Sequence, residues 1–566
     1  MLKSKLVSSQ EKAFVDDCIE KFEVLSNITA LGGENLSVQL LYVDEGPDYI
    51  ARRPICDVQV EGMLAPYVTL RDVRSVPVDR PINPEMVDEN YLRTTPGIYP
   101  DILTPFRYGG KVVVSRDKLR SVWIEIRIPE DYSGDSDLSI SARILTAMDG
   151  DTENIKFDNS LLFEQTLHIR VIPANLPEQE LIFTQWFYCD CLASYYNVPV
   201  WSERHWEIIE NYAALAVKRG RNMLYTPLLT PALNVEDPFE RVPTQLVDVT
   251  VTDGVYSFCF DKVDRWVDMC DRLGVKYLEV SHFYHQHQAY NSAKVYGVVN
   301  GEYKNIFGWE TLSTDPEYLR FLREMVTAFV THMKARGDDK RCYYHITDEP
   351  TMEHFDRFCT VKNNVANILE GYKIMDALSD IEFYDVGAIT APVPATSDVR
   401  PFIEKNVPDL WVYYACNQLV GYSNCCVSMP TWRTRSIGMQ LYKYNIAGFL
   451  HWGYNYYNNR ASGDAINPYL DLGGEDWVCA GDTFVVYPNF DGTAQESIRM
   501  MALEEALQDV RAMRLAEKYY SHEEVVQTME KALGAPITFT RCAYTADEML
   551  RVRGAVNEMI EKAITG

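Results

Sequence analysis

From residue 181 onward the chain repeats one rhythm: a short apolar, β-prone run, a turn-rich loop, then a stretch of helical periodicity. Candidate strands fall at 181–188, 222–229, 276–282, 342–347, 382–388, 409–415, 446–451 and 483–487, eight in all. Eight is the number that closes a (β/α)8 barrel. Helical patterns over 202–219, 261–273, 314–337, 352–378, 428–444 and 494–519 fill most of the gaps. Val247–Cys259 reads as an inserted hairpin, and 452–482 as a long loop where a helix belongs.

The rest of the chain follows other periods. Residues 10–28 predict a short amphipathic helix. Then β-prone runs at 37–43, 57–61, 112–114, 122–128 and 167–171, most of them alternating, are separated by turn-rich pieces such as Ser133–Ser136, the pattern of an antiparallel β-sandwich. Ile172–Pro177 reads as a stiff linker, and 522–533 and 545–564 predict two helices. The expected organisation is multidomain: helix and antiparallel β-sandwich over 1–175, a (β/α)8 TIM-like barrel over 178–520, and a helical tail over 521–566.

Composition removes several function classes. A net charge of −27 repels phosphate backbones and anionic headgroups, which argues against nucleic acid and membrane partners. No apolar run approaches the roughly 18 residues of a membrane span, and the first residues lack an apolar stretch behind Lys3 and Lys5, so a cytoplasmic location is expected. Thirteen cysteines without a repeating spacing suit a reducing compartment, and neither Cys189–Cys191 nor Cys425-Cys426 has a partner pair at zinc spacing. A glycine-rich phosphate loop and a Gly-x-Ser-x-Gly elbow are both missing from the sequence. No cofactor and no metal are expected.

Candidate chemistry gathers where strands of a parallel barrel end. Tyr343–Pro350 is a β-prone run closing on two adjacent carboxylates and a proline. Neighbouring side chains on a regular strand face opposite ways, so Asp348 and Glu349 reach one cavity only if the backbone leaves the pleat there. Pro350 favours that departure. A pair of carboxyl groups at a barrel mouth suits glycoside hydrolysis, one giving a proton to the leaving oxygen and one managing developing positive charge; the plainer reading of Asp348 is a helix cap. The same strand adds His345, and the other strand ends contribute Trp186 and Asp190, Tyr225, His282, Asp385, Tyr414 and Asn417, and His451, Trp452 and Tyr454. This mixture of rings and hydrogen-bonding groups is what a sugar pocket uses. Of His282, His285 and His287, the last two share a side of an extended chain, which reads as a solvated loop with one pocket histidine rather than a metal site. Met500, Met501 and Met513 read as core packing.

Taken together, these motifs resemble glycoside hydrolase family 123, enzymes of β-N-acetylgalactosaminide cleavage built as a β-sandwich followed by a (β/α)8 barrel. The resemblance rests on the order of Pro96–Asp101 with Val122-Trp123-Ile124, His345–Pro350, Gly448–Asn455, and Gly481–Pro488 followed by Ser497-Ile498-Arg499, spanning roughly residues 90 to 520. It implies a retaining, substrate-assisted mechanism in which the 2-acetamido oxygen attacks the anomeric carbon. Asp348 would then stabilise the acetamido nitrogen, and Glu349 would serve as general acid and then base. The partner so implied is a carbohydrate; homo-oligomer formation is left open. Two alternatives stand beside this reading: a glycosidase for a sugar without the acetamido group, with Asp190 or Asp385 as nucleophile, and a carbohydrate-binding protein without turnover.

Overall fold

The computed structural model describes residues 2–45, 55–106, 111–114, 117–147, 155–286 and 289–566. The chain falls into two compact units, one of Met1–Gln179, Val420–Lys443 and Gln495–Gly566, the other of Glu180–Leu419 and Tyr444–Ala494. The division expected from chain position cuts across them, because 420–443 and 495–520 group with the first and last residues.

In the first unit, strands Leu2–Ser8, Asn35–Asp44, Arg120–Arg127, Val68–Val78 and Gly97–Pro105 form one five-stranded sheet in that order, every pair antiparallel. A second sheet runs Asn27–Gly32, Ile155–Asn175, Gly134–Ala147, Ile55–Glu61 and Lys111–Val113. Alternation makes the core: Val38, Leu40, Val122, Ile124 and Ile126 of one sheet meet Val58, Ile140, Ala142, Leu167 and Ile169 of the other. One pair departs from the antiparallel expectation, since Asn27–Gly32 runs parallel to Ile155–Asn175. The helix expected at 10–28 is absent, replaced by a single 3-10 turn, Ile19–Lys21. There the Asp17 carboxylate accepts from the Phe14 N–H at 2.8 Å, a local bond that competes with helix, while Phe14, Ile19 and Phe22 are buried.

Helices Ile498–Ala516, His522–Leu533 and Ala546–Thr565 start at side-chain caps, Ser497, Ser521 and Thr545, the second with Glu524 in a full capping box. Met500, Met501 and Met513 are buried, as core residues should be. The helical stretch expected at 428–444 divides into Thr431–Arg435 and Ile437–Lys443.

The second unit holds eight parallel strands in sequential order: Ile182–Gln185, Met223–Thr226, Tyr277–Val280, Cys342–His345, Lys373–Ala377, Ala391–Val393, Trp411–Tyr413 and Gly448–His451. The last pairs with the first through Ile182 and Gly448, and a single parallel bridge, Ala395 to Tyr413, joins the sixth to the seventh, giving a nearly closed barrel. Gly448 is needed where the wall closes, because the Trp411 ring occupies the space a Cβ would take. The insertion is present as the hairpin Asp248–Thr252 and Val255–Cys259.

Two expected strands fail. Residues 382–388 contain the short helix Glu382–Asp385, and the true fifth strand, Lys373–Ala377, lies inside the predicted helix 352–378, which ends at Ala366. The run at 483–487 shifts to Val486–Pro488, which pairs with Ala494–Glu496 outside the barrel. Ala391–Val393 takes the vacant sixth place. Buried runs of three to five residues carry too little period to separate strand from helix.

Candidate active site

The fourth strand ends at His345, and Ile346 and Thr347 carry the chain on to the carboxylates. Thr347 gives both its N–H (3.3 Å) and its hydroxyl (3.0 Å) to Asp376 Oδ2 at the end of the fifth strand, which pins the turn. Glu349 then takes φ 47°, the left-handed region that L-residues with a side chain seldom enter, and its N–H donates to Ala377 O at 3.0 Å. This break in the pleat separates the pair: Asp348 is buried at 4% exposure, whereas Glu349 is exposed. Tyr413, the last residue of the seventh strand, donates its hydroxyl to Glu349 Oε1 at 2.8 Å.

Burial pushes the Asp348 carboxyl well above the usual carboxylate range, and the charges of Glu349, Asp376 and Glu279 push the same way. Asp376 is raised too, by burial against the opposing pull of its two Thr347 hydrogen bonds. The group beside Asp348 is His282, whose Nε2 stands 3.9 Å from Asp348 Oδ1. Burial and then the neighbouring His345 hold His282 well below the ordinary histidine range, so it is neutral. The Tyr225 hydroxyl lies 3.0 Å from Nδ1, and Nε2 is a buried nitrogen without a hydrogen-bond partner among the described residues. A buried polar atom without a partner beside a buried acid is an arrangement that a ligand completes.

Beneath them, Glu279 of the third strand accepts from Trp186 Nε1 at 2.7 Å, His345 Nε2 at 2.7 Å and the Thr184 hydroxyl. His345 stacks on His282 with centroids 4.1 Å apart, and Trp186 meets His282 edge-on at 5.3 Å. Strands one to four thus share one buried polar stack under Asp348.

The other expected residues divide. His451 Nε2 lies 3.5 Å from Asp482 Oδ1, and Trp452 donates to Asp482 Oδ2 at 2.8 Å, so both are tied to the long loop after the eighth strand. Tyr414 is buried between Phe449 and His451, with ring centroids 5.0 and 5.3 Å away. Asn417 is exposed in the turn beyond the seventh strand. Tyr454 points away from the mouth, stacking on Phe187 and donating to Tyr212 O at 2.8 Å. Asp190 forms a buried two-pronged pair with Arg241, at 2.7 and 2.9 Å. Asp385 sits on the short helix and pairs with Lys405. His285 leaves His282 and stacks on Trp309 at 3.8 Å; His287 lies outside the described residues.

Three members of the cluster escape a reading of the sequence: Glu279, Asp376 and Tyr413. The signal that finds Glu279 is a lone carboxylate inside the β-prone run Tyr277-Leu278-Glu279-Val280, three residues before His282. Asp376 is hidden inside a stretch with helical period, and Tyr413 stands next to Tyr414, which the sequence offers equally well as the inward ring.

The model of the glycoside hydrolase 123 catalytic domain matches residues 186–516, more than half of the chain. The chain belongs to glycoside hydrolase family 123. It is accordingly a glycoside hydrolase acting on carbohydrate. Among solved structures, the whole chain aligns with the whole of a family 123 glycoside hydrolase from Clostridium perfringens, at 16% identity and a TM-score of 0.75, a likeness of fold. A β-glucuronidase from Bifidobacterium dentium aligns over 89% of this chain and 66% of its own at 9% identity, and its TM-score of 0.33 is too low to establish a shared fold. A search of curated proteins returns no match. In this family-123 chain the matched region contains both adjacent carboxylates and the polar stack around them apart from Thr184.

Proposed function

We propose that this family-123 enzyme removes terminal β-linked N-acetylhexosamine, N-acetylgalactosamine foremost, with retention and with the substrate's own acetamido oxygen as nucleophile. That oxygen attacks the anomeric carbon as the glycosidic bond breaks, and Glu349 gives its proton to the leaving oxygen. The positive charge that grows on the acetamido nitrogen is met by Asp348. Water then attacks the anomeric carbon, Glu349 takes back a proton, and the amide is restored. The observation that carries this reading is the unlike setting of two neighbouring carboxyl groups, one buried among other carboxylates, one exposed and reachable by an aglycone.

Asp348 accepts a hydrogen bond from the acetamido N–H, and that bond strengthens as positive charge grows on the nitrogen, so its contribution grows toward the transition state. The carboxylates that would replace the acetamido group as nucleophile are engaged elsewhere: Asp190 by Arg241, Asp385 by Lys405, Glu279 by three donors. The Clostridium perfringens relative is described in terms of glycolipid glycan hydrolysis, which agrees with a glycan substrate.

The test is hydrolysis by Glu349→Gln of an oligosaccharide and of a nitrophenyl glycoside carrying the same terminal sugar. Loss of an acid costs about 10²–10⁴-fold where the leaving group needs a proton, and less where it does not. Oligosaccharide turnover retained by Glu349→Gln would refute the assignment.

A further inference from the structure

The loops after the second, third and eighth strands enclose a cavity of about 310 Å³ that the catalytic groups do not use. Trp309 and Trp477, both half-buried, form part of its wall, and Asn234, Gln286, Glu236 and Arg460 supply hydrogen-bonding groups. The walls are fixed from behind. Trp309 is backed by the His285 ring at 3.8 Å and donates to Phe239 O at 3.0 Å. Trp477 packs on Trp452 at 5.5 Å and on Tyr456 at 6.0 Å. Gln286 spends its carbonyl on the Asn234 N–H at 2.6 Å. Arg460 and Glu236 stand 3.5 Å apart with most of their side chains in solvent, a pairing that holds them weakly and leaves both able to turn to a ligand.

These loops leave the same ends of the barrel strands as Asp348 and Glu349, and Trp452 links Trp477 to the end of the eighth strand. Indole rings beside side chains that both donate and accept match a pyranose, which presents one C–H face for stacking and a rim of hydroxyls. We propose that this cavity is a second sugar subsite, holding an uncharged pyranose of the glycan beyond the residue being cleaved. The enzyme is thereby matched to oligosaccharides over simple glycosides. The inference rests on the proposed function for the first subsite.

The test compares wild type, Trp477→Ala and Arg460→Ala by two readouts. One is kcat/KM on a neutral trisaccharide with terminal β-N-acetylgalactosamine, divided by kcat/KM on the aryl monosaccharide. The other is calorimetric titration of the trisaccharide into the full chain, in a Glu349→Gln background. The ratio is expected to fall about three- to tenfold in Trp477→Ala, through KM, with trisaccharide affinity falling alongside. Arg460→Ala, a surface change with little risk to folding, is expected to move both in the same direction by a smaller factor. A ratio and an affinity unchanged in both variants would overturn the subsite. Trisaccharide binding that weakens in Trp477→Ala while wild type hydrolyses neither sugar would keep the subsite and reject the catalytic reading.

Discussion

Two buried carboxylate clusters in this molecule meet opposite fates. In the first unit Asp509, 1% exposed, takes two hydrogen bonds from Arg435 at 2.7 and 2.8 Å and a third from Arg553 at 3.0 Å. Burial raises its carboxyl, but the two guanidinium groups outweigh that and hold it below the usual range. Glu505, which accepts from Arg435 at 2.9 Å and from the neutral Ser9 and Gln10 side chains, is pushed by burial up to about 7. In the second unit Asp348 and Asp376 are as deeply buried, and their neighbours are other carboxylates, imidazoles and hydroxyls. Both stay well above the ordinary range. Burial alone does not decide ionisation; the counter-charge does. The first cluster has its counter-charges built in, and the second is left without one at a cost in stability.

The contrast is most forcefully challenged at Arg435. Arg435→Met leaves Asp509 and Glu505 short of a cation, and chemical denaturation should register a loss of about 3–5 kcal/mol for the transition that includes the first unit. Asp348→Asn is expected to do the reverse, lowering turnover by about 10²–10³-fold, as loss of a preorganised transition-state group does, with the thermal midpoint unchanged or raised. A fall in midpoint as large as that of Arg435→Met would place Asp348 among the structural carboxylates.

Two smaller effects follow from pH. A buried acid with a raised pKa binds more protons folded than unfolded, so stability drops as pH climbs above the unfolded value near about 3.9. Asp376→Asn removes that drop, and its advantage over wild type should widen with pH by up to about 1.4 kcal/mol per unit. His282 and His285 carry the opposite sign, held well below the ordinary range and down to about 3 respectively, burial being the main cause in each. The unfolded chain then binds more protons, so wild-type stability should fall as pH is lowered below about 6.5, by up to about 1.4 kcal/mol per unit for each histidine. His282→Gln should flatten that slope, read by denaturation midpoints between pH 7 and 5.

Much of the barrel is legible in the amino-acid sequence. Cys342–His345, Tyr277–Val280 and Gly448–His451 carry apolar β-prone runs that stop at polar residues, so both the strands and their functional ends can be read. The adjacent Asp348 and Glu349 with Pro350 signal a break in the pleat, and φ 47° at Glu349 is that break. The count of eight strands, by contrast, rests on two offsetting errors, since 382–388 and 483–487 stand in for Lys373–Ala377 and Ala391–Val393. Those strands are short and lean on tertiary pairing, which local period cannot reveal. The engagement of Asp190 with Arg241 joins residues about fifty positions apart through a loop, and no spacing rule links them.

Whether the substrate supplies its own nucleophile is decided by a series of nitrophenyl β-N-acylgalactosaminides in which the acetyl methyl carries none to three fluorines. Fluorine drains the amide oxygen of nucleophilicity while leaving the sugar and leaving group unchanged. If the acetamido oxygen is the nucleophile beside Asp348, kcat/KM falls steadily, by at least about tenfold across the series, equivalent to about 1.4 kcal/mol of barrier. A flat series, or equal cleavage of the plain galactoside, would contradict substrate assistance and require a protein nucleophile in its place.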